Sequence, residues 1–213
     1  MVSPAERPIR ILIVDDHPVV RAGLTSMLST QPGFQVVGNA SNGADALALV
    51  DADAPDILLL DLRMPGLTGI EVLRALQQGK SKSRAIILTS FETDEDVYQA
   101  IQAGAQSYLL KNTSQQELVG AIRAVHAGHR HLPPKITLRL AEYMMRSPLT
   151  GREREILQML SKGLTNKQIA QELRISGNTV RNHVNSIIEK LEVADRTEAV
   201  TLGLQRGIIR LEL

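Results

Sequence analysis

Ile9-Arg10-Ile11-Leu12-Ile13-Val14-Asp15-Asp16 is a β-branched apolar run that ends on two carboxylates. Asp56-Ile57-Leu58-Leu59-Leu60 follows the same plan and ends on Asp61. Three more such runs lie at Phe34–Ala40, Arg84–Thr89 and Gln106–Leu110. Runs apolar on both faces belong in a parallel sheet covered by helices on each side, because no face is left for water. Segments of helical period fill the gaps, at residues 18–30, 43–52, 69–78, 94–103 and 115–127. Five strand–helix units predict a doubly wound α/β fold with a five-stranded parallel sheet. In that fold a site sits at the carboxyl ends of the strands.

The chemistry at those ends follows from the residue types. Asp15, Asp16 and Asp61 converge in one crevice, where like charges repel unless a cation holds them. All three offer hard oxygens, which suits Mg2+ (or Mn2+) better than zinc or copper. Mg2+ keeps several waters and also binds phosphoryl groups, so Asp61 reads as a nucleophile that becomes an aspartyl phosphate. Thr89 ends the fourth run with a hydroxyl, and Lys111 follows the fifth with a cation; both suit phosphoryl oxygens. Pro65, Gly66 and Gly69 make the stretch after Asp61 a tight turn. Alone, each of these residues reads as a cap, a turn or a solvated charge. Their order along four strand ends carries the functional reading. His17, beside the acidic pair, is expected at the start of the first helix.

The second half reads as four helices, near residues 151–162, 165–173, 176–192 and 196–205. Gly163 is the expected C-cap of the first, and Thr165 and Ser176 are expected N-caps. In the third helix Val180, Val184, Ile187 and Leu191 form one buried stripe, and Asn178, Arg181, Asn182 and Asn185 take the other side. Short amides with one Arg are poor choices for a merely solvated face, where Lys and Glu are better helix formers. They suit base edges, since Asn pairs with adenine and Arg with guanine. Thr179 can reach a phosphate, and Lys167 on the preceding helix is left for the DNA backbone. Two helices joined by a short turn at Arg174-Ile175 have helix-turn-helix geometry. From spacing alone, an ordinary helical bundle remains the alternative.

Between the halves lies the Gly/Pro linker Ala127-Gly128-His129-Arg130-His131-Leu132-Pro133-Pro134. Ile136, Leu140, Tyr143 and Met144 then recur at helical spacing and predict a short helix. The expected domains are residues 1–127, a linker at 128–147, and residues 148–213. His126, His129 and His131 could ligate a metal, but a Gly/Pro linker is a poor cage, and a solvated segment is expected.

The chain of 213 residues carries 24 Lys+Arg and 23 Asp+Glu, a net of +1. Divided after Ala124, the front is −4 and the back +5, so two modules with different partners are expected. Residues 125–146 hold +3 of that excess and residues 147–213 only +2. The DNA signal is therefore positional: from Gly177 to Ile188 there is Arg181 and no acidic residue. A hydrophobic content of 43% supports packed cores and argues against global disorder. The absence of Cys excludes disulfides and thiolate zinc sites. No apolar run approaches the roughly 18 residues of a membrane span. The start, Met1 to Pro8, has no signal-peptide core, and a cytoplasmic protein is expected.

These motifs resemble two-component response regulators of the NarL/FixJ type. The receiver motifs are Ile13-Val14-Asp15-Asp16, Leu60-Asp61-Leu62-Arg63-Met64-Pro65-Gly66, Leu88-Thr89-Ser90 and Gly104-Ala105-Gln106-Ser107-Tyr108-Leu109-Leu110-Lys111. The motifs of a LuxR-type output domain are Leu149-Thr150-Gly151-Arg152-Glu153-Arg154-Glu155, Gly163-Leu164-Thr165-Asn166-Lys167-Gln168-Ile169-Ala170 and Ile175-Ser176-Gly177-Asn178-Thr179-Val180-Arg181-Asn182-His183. The resemblance implies a CheY-like receiver in which Asp61 accepts a phosphoryl group from a sensor histidine kinase. It implies Mg2+ held by Asp16, Asp61 and the backbone carbonyl of Arg63, with Asp15 helping through water. Thr89 and Tyr108 would be a switch pair that biases the surface of the fourth helix, fifth strand and fifth helix. The helix at 176–191 would enter the major groove of double-stranded promoter DNA. The last helix, with Arg196, Ala199 and Val200, would form the contact of a homodimer on DNA.

Two features depart from that pattern. Arg63 stands two residues after Asp61, where receivers often carry a smaller residue; with Phe91, it is expected to alter the phosphoryl lifetime. Asn185 stands where family members often carry a basic residue. Beyond taking a phosphoryl group from a donor and losing it again, no enzyme activity is expected. The rival reading, an aspartyl-phosphate hydrolase, commonly needs a second acid two positions on, and Arg63 cannot serve. A regulator that works without phosphorylation, using the first domain only to dimerise, is a second rival. The complete acceptor, Thr and Lys set argues against it. Release of the recognition helix and dimerisation are both open as outputs.

Overall fold

The computed structural model describes residues 7–90, 93–145 and 149–209, with only the backbone of residues 144 and 145. Phe91 lies outside the described residues, as does the side chain of Met144. The chain runs β1 (Ile9–Val14), α1 (Pro18–Ser29), β2 (Phe34–Ala40), α2 (Gly43–Asp53), β3 (Ile57–Leu60), α3 (Gly69–Gln78), β4 (Arg84–Thr89), α4 (Asp94–Gln102), β5 (Ser107–Leu110) and α5 (Gln115–His126). It continues through α6 (Pro134–Met145), α7 (Gly151–Ser161), α8 (Asn166–Glu172), α9 (Gly177–Leu191) and α10 (Arg196–Gln205). By internal contacts the described residues divide into two compact units, one of residues 7–90 and 97–137, the other of residues 93–96 and 138–209.

The first unit is the expected doubly wound sheet, all parallel, in the order β2-β1-β3-β4-β5. Alternate strand residues face opposite ways. Ile11, Ile13, Ile57, Leu59, Ile86 and Leu88 pack with Leu28 of α1 and with Leu118, Ile122 and Val125 of α5. Leu12, Val14, Leu58, Leu60 and Ile87, on the other face, are also buried. Burial of both faces is the physical reason these runs are continuous rather than alternating. β3 starts one residue later than the sequence suggests. Asp56 is occupied differently: its carboxylate accepts the Arg10 N–H at 2.9 Å and pairs with Arg7.

The linker is only partly what its composition suggests. His129 N donates to Ala124 O and His131 N to Gln106 O, each at 3.0 Å, and Ser107 and His131 form a parallel bridge. Ile136 is buried. The segment from Gly128 to Ile136 is thus tied to the sheet unit, because β5 is an edge strand with backbone groups to satisfy.

In the second unit α7 to α10 enclose one core, to which α9 contributes Val180, Val184, Ile187 and Leu191 as its stripe predicts. The helix starts are chemically specified. Thr150 with Glu153 and Thr165 with Gln168 form capping boxes, Ser176 caps α9, and Asp195 caps α10. Gly163 follows α7 with a φ of +79°, where a glycine ends a helix without strain.

Candidate functional site

Strand pairing brings the carboxylates together. Val14 of β1 and Leu60 of β3 are partners in register, so the next residues, Asp15 and Asp61, stand side by side at the carboxyl edge. Asp61 N donates to Val14 O at 2.9 Å, and Lys111 N to Thr89 O at 2.9 Å. The loop after Asp61 turns at Gly66, at φ +75°. Gly69 lies so close under it that a Cβ would stand 2.3 Å from the Asp61 carbonyl oxygen.

Asp15 and Asp61 are 2% and 3% exposed, and such charges are retained only when paired. Lys111 pairs both: its Nζ lies 2.6 Å from Asp15 Oδ2 and 2.6 Å from Asp61 Oδ2. Burial pushes the Lys111 ammonium down, but hydrogen bonds to Asp15 and Asp61 outweigh it and hold its pKa above the ordinary lysine value. Asp61 Oδ1 accepts the Leu62 N–H at 2.7 Å, and Asp15 Oδ1 accepts the His17 N–H at 2.8 Å. Thr89 and Tyr108 are fully buried behind this edge, and Arg63 is half-buried.

His17 stands at the start of α1, as expected, and also meets the acidic pair. Its Nδ1 lies 2.7 Å from Asp16 Oδ1 and 3.2 Å from Asp15 Oδ1. The signal was only its adjacency to Asp16. Asp15, Asp16, His17 and Asp61 each offer a ligand atom within 4.8 Å of the others, the one such cluster among the described residues. Asp16 Oδ1 is buried and accepts no hydrogen bond among the described residues, although the His17 ring lies close to it. An acidic pocket with an unsatisfied carboxylate oxygen fits a hard divalent cation.

In the helical unit Lys167, Arg181, Asn182 and Asn185 are all exposed. Thr179 is half-buried, and its hydroxyl bonds to Ser176 Oγ at 2.8 Å inside the cap of α9. Of the three residues expected at a dimer contact, Ala199 is instead fully buried in the unit's own core. Arg196 Nη2 donates to Leu164 O at 2.9 Å. α10 must bury one face to close the core, and Ala199 is on it; Val200 is half-buried beside it.

Glu153 is a buried carboxylate whose long-range partners the sequence does not show. It is 3% exposed, and it accepts from Ser186 Oγ at 2.6 Å, Lys190 Nζ at 2.8 Å and Thr150 N at 2.7 Å. Burial alone would raise its pKa; the bonds from Lys190, Ser186 and Thr150 outweigh it and bring the value to about 2. It fastens α9 to α7, so the polar face of α9 is presented by a rigid helix. The signal was the Thr150-x-x-Glu153 capping box.

A doubly wound sheet with a buried acid–lysine crevice, followed by a helix-turn-helix unit, defines a signal receiver coupled to a DNA-binding output. Residues 11–123 match the response regulator receiver domain, and residues 147–202 match the luxR family of bacterial regulatory proteins. The chain belongs to the response regulators with a LuxR-type output domain, and it is a phosphorylation-regulated, DNA-binding transcription regulator. It is 41% identical to the transcriptional regulatory protein LiaR of Bacillus subtilis, over 94% of this chain and 99% of that one. It is 38% identical to the response regulator protein VraR of Staphylococcus aureus, over 95% and 99%. Among solved structures it resembles the response regulator ChrA of a heme-sensing two-component system, with a TM-score of 0.58, 39% identity, and 96% and 100% coverage. The RcsB response regulator of Salmonella typhimurium shares the fold, with a TM-score of 0.73 at 22% identity over 91% of this chain and 98% of that one. Such a chain is not a typical enzyme. Among the described residues, no helix is long and apolar enough to cross a membrane.

Proposed function

We propose that Asp61 is the phosphoacceptor, that its donor is the phosphohistidine of a sensor histidine kinase in the cytoplasm, and that the modification controls DNA binding. The observation that carries this is the position of Lys111 Nζ, 2.6 Å from carboxylates on two different strands. Asp16, Asp61 and the carbonyl of Arg63 would hold Mg2+ (or Mn2+), with Asp15 through water. When bound, the metal supplies positive charge to the phosphoryl oxygens.

The chain's own groups do the rest. A carboxylate oxygen of Asp61 forms the new O–P bond as the donor's N–P bond breaks, and the imidazole leaves with the electron pair. The Leu62 N–H fixes the orientation of the carboxylate. Lys111 follows the charge from the carboxylate to the phosphoryl oxygens. Thr89 takes a further phosphoryl oxygen, and Tyr108, packed behind it, carries the change to the surface of α4, β5 and α5. The output is α9 in the major groove of promoter DNA: Arg181, Asn182 and Asn185 meet base edges, and Lys167 and Thr179 meet phosphates. Two copies pair on DNA through Val200 and the exposed Thr197 and Thr201 around it, since Ala199 and Arg196 are engaged within their own unit.

Incubation with acetyl phosphate and Mg2+ tests this. Modification at Asp61, tighter binding to a selected duplex, and neither in Asp61→Asn are expected. No adduct at Asp61 and unchanged DNA affinity would sink the proposal. Arg63→Ala should change the half-life of the phosphorylated form, and equal half-lives would discard a shielding role for Arg63.

A further inference from the structure

Arg174 stands between α8 and α9 with a φ of +52°, in the left-handed region where a side chain is strained and glycine is not. Ala54, Lys80 and Glu192 hold similar angles at other helix ends, so the angle by itself marks only a helix stop. What distinguishes Arg174 is its surroundings. It lines an open groove between α8 and α9 with Lys167, Gln171, Ser176, Asn178 and Arg181, and none of the residues lining that groove carries a carboxylate. Lys167, Arg174 and Arg181 are exposed, and their side chains make no hydrogen bond or ion pair with any described residue. Other cations of this unit are engaged: Arg152 pairs with Glu155, Lys190 with Glu153, and Arg196 with the Leu164 carbonyl. Three unpaired cations around one groove repel one another, and an anion relieves that repulsion.

We propose that Arg174 is a further DNA contact, whose guanidinium holds a backbone phosphate beside the one held by Lys167. This rests on the DNA-binding reading of α9 given above. A planar guanidinium matches a phosphodiester through paired hydrogen bonds, which a point charge does not. Held on the turn, with Lys167 on α8, it sets the register at which Arg181 and Asn182 reach the bases. A glycine would form the same turn with less strain but hold no phosphate. The competing role is purely local: the guanidinium steadies the last carbonyls of α8.

The two roles predict opposite results for Arg174→Gly. The full chain is titrated with a selected duplex and a scrambled one over a range of salt, and thermal unfolding is followed in parallel. As a phosphate contact, Arg174→Gly melts at or above the wild-type temperature. Its affinity for both duplexes falls on the order of tenfold at low salt. The slope of log affinity against log salt becomes shallower by about 0.9. Arg174→Gln shows the same affinity loss, because the effect follows the charge. Unchanged affinity and slope in both variants overturn the proposal. A lower melting temperature with unchanged binding assigns Arg174 to the helix end and overturns it too. Arg181→Ala separates this from the underlying reading. If it loses discrimination between the duplexes while the Arg174 variants bind like wild type, only the Arg174 contact is wrong. If wild type binds neither duplex, the DNA reading falls and the contact with it.

Discussion

In the sheet unit, Lys111 is 14% exposed and touches two buried carboxylates; in the helical unit, Lys167, Arg174 and Arg181 are exposed and touch none. The first arrangement fixes charge before any ligand arrives, in a poorly solvated crevice where a single group's displacement is felt strongly. The second leaves charge in water, where it attracts a polyanion at modest cost and releases it readily with salt. Under the proposed function, the site that takes one small group is prepaired, and the surface that tracks a long charged backbone is left open. Glu153 shows that the division follows function rather than domain. It is a prepaired buried charge in the helical unit, and its task is positional.

The largest expected effect tests the prepaired side. Lys111→Ala leaves Asp15 and Asp61 buried without their cation, which costs about 3 kcal/mol or more of stability in denaturant unfolding. A loss near zero would mean that water already screens the crevice. Because the Lys111 pKa is raised in the fold, its contribution is complete below the ordinary lysine value of 10.5 and declines as pH rises through the raised value. Glu153→Ala comes next, at roughly 2–4 kcal/mol, since Lys190 and Ser186 lose their acceptor. Glu153 titrates at about 2 rather than 4.5, so its contribution is present above 4.5 and fades as pH falls towards 2. Acid unfolding of wild type and Glu153→Gln should therefore converge in that window, and parallel curves would contradict the pairing.

On the open side, the effects are on binding. Arg181→Ala should weaken binding to the preferred duplex by about 1–3 kcal/mol and relax its specificity, with little change in melting temperature. The smallest effect is that of Lys167→Ala. It should lower affinity for all duplexes alike and reduce the salt slope by about 0.9, with stability within about 0.5 kcal/mol of wild type. A sequence-selective loss at Lys167 would blur the line between phosphate and base contacts.

Much of this was legible along the chain. Five apolar runs with acids at two of their ends specify a parallel sheet and the edge where its site lies. The apolar stripe Val180, Val184, Ile187 and Leu191 orients α9. What the sequence did not disclose depends on partners far away in it. Glu153 meets Lys190, 37 positions further on, only when α7 packs on α9. Ala199 was expected at a dimer contact because the family resemblance implies one along the last helix, yet α10 turns it into the unit's own core. The Gly/Pro segment before α6 was expected to be solvated, yet the edge of β5 takes His131.

By itself, then, the sequence determined the class of fold, the strand-end placement of Asp15, Asp61, Thr89 and Lys111, and the polar face of α9. Those are local or periodic properties, written in residues near one another or at regular spacing. Tertiary structure alone decided which charges are paired and which are open. Pairing depends on distances of a few ångströms between residues many positions apart, as with the 2.6 Å contacts from Lys111 to Asp15 and Asp61. Only the packed chain sets those distances.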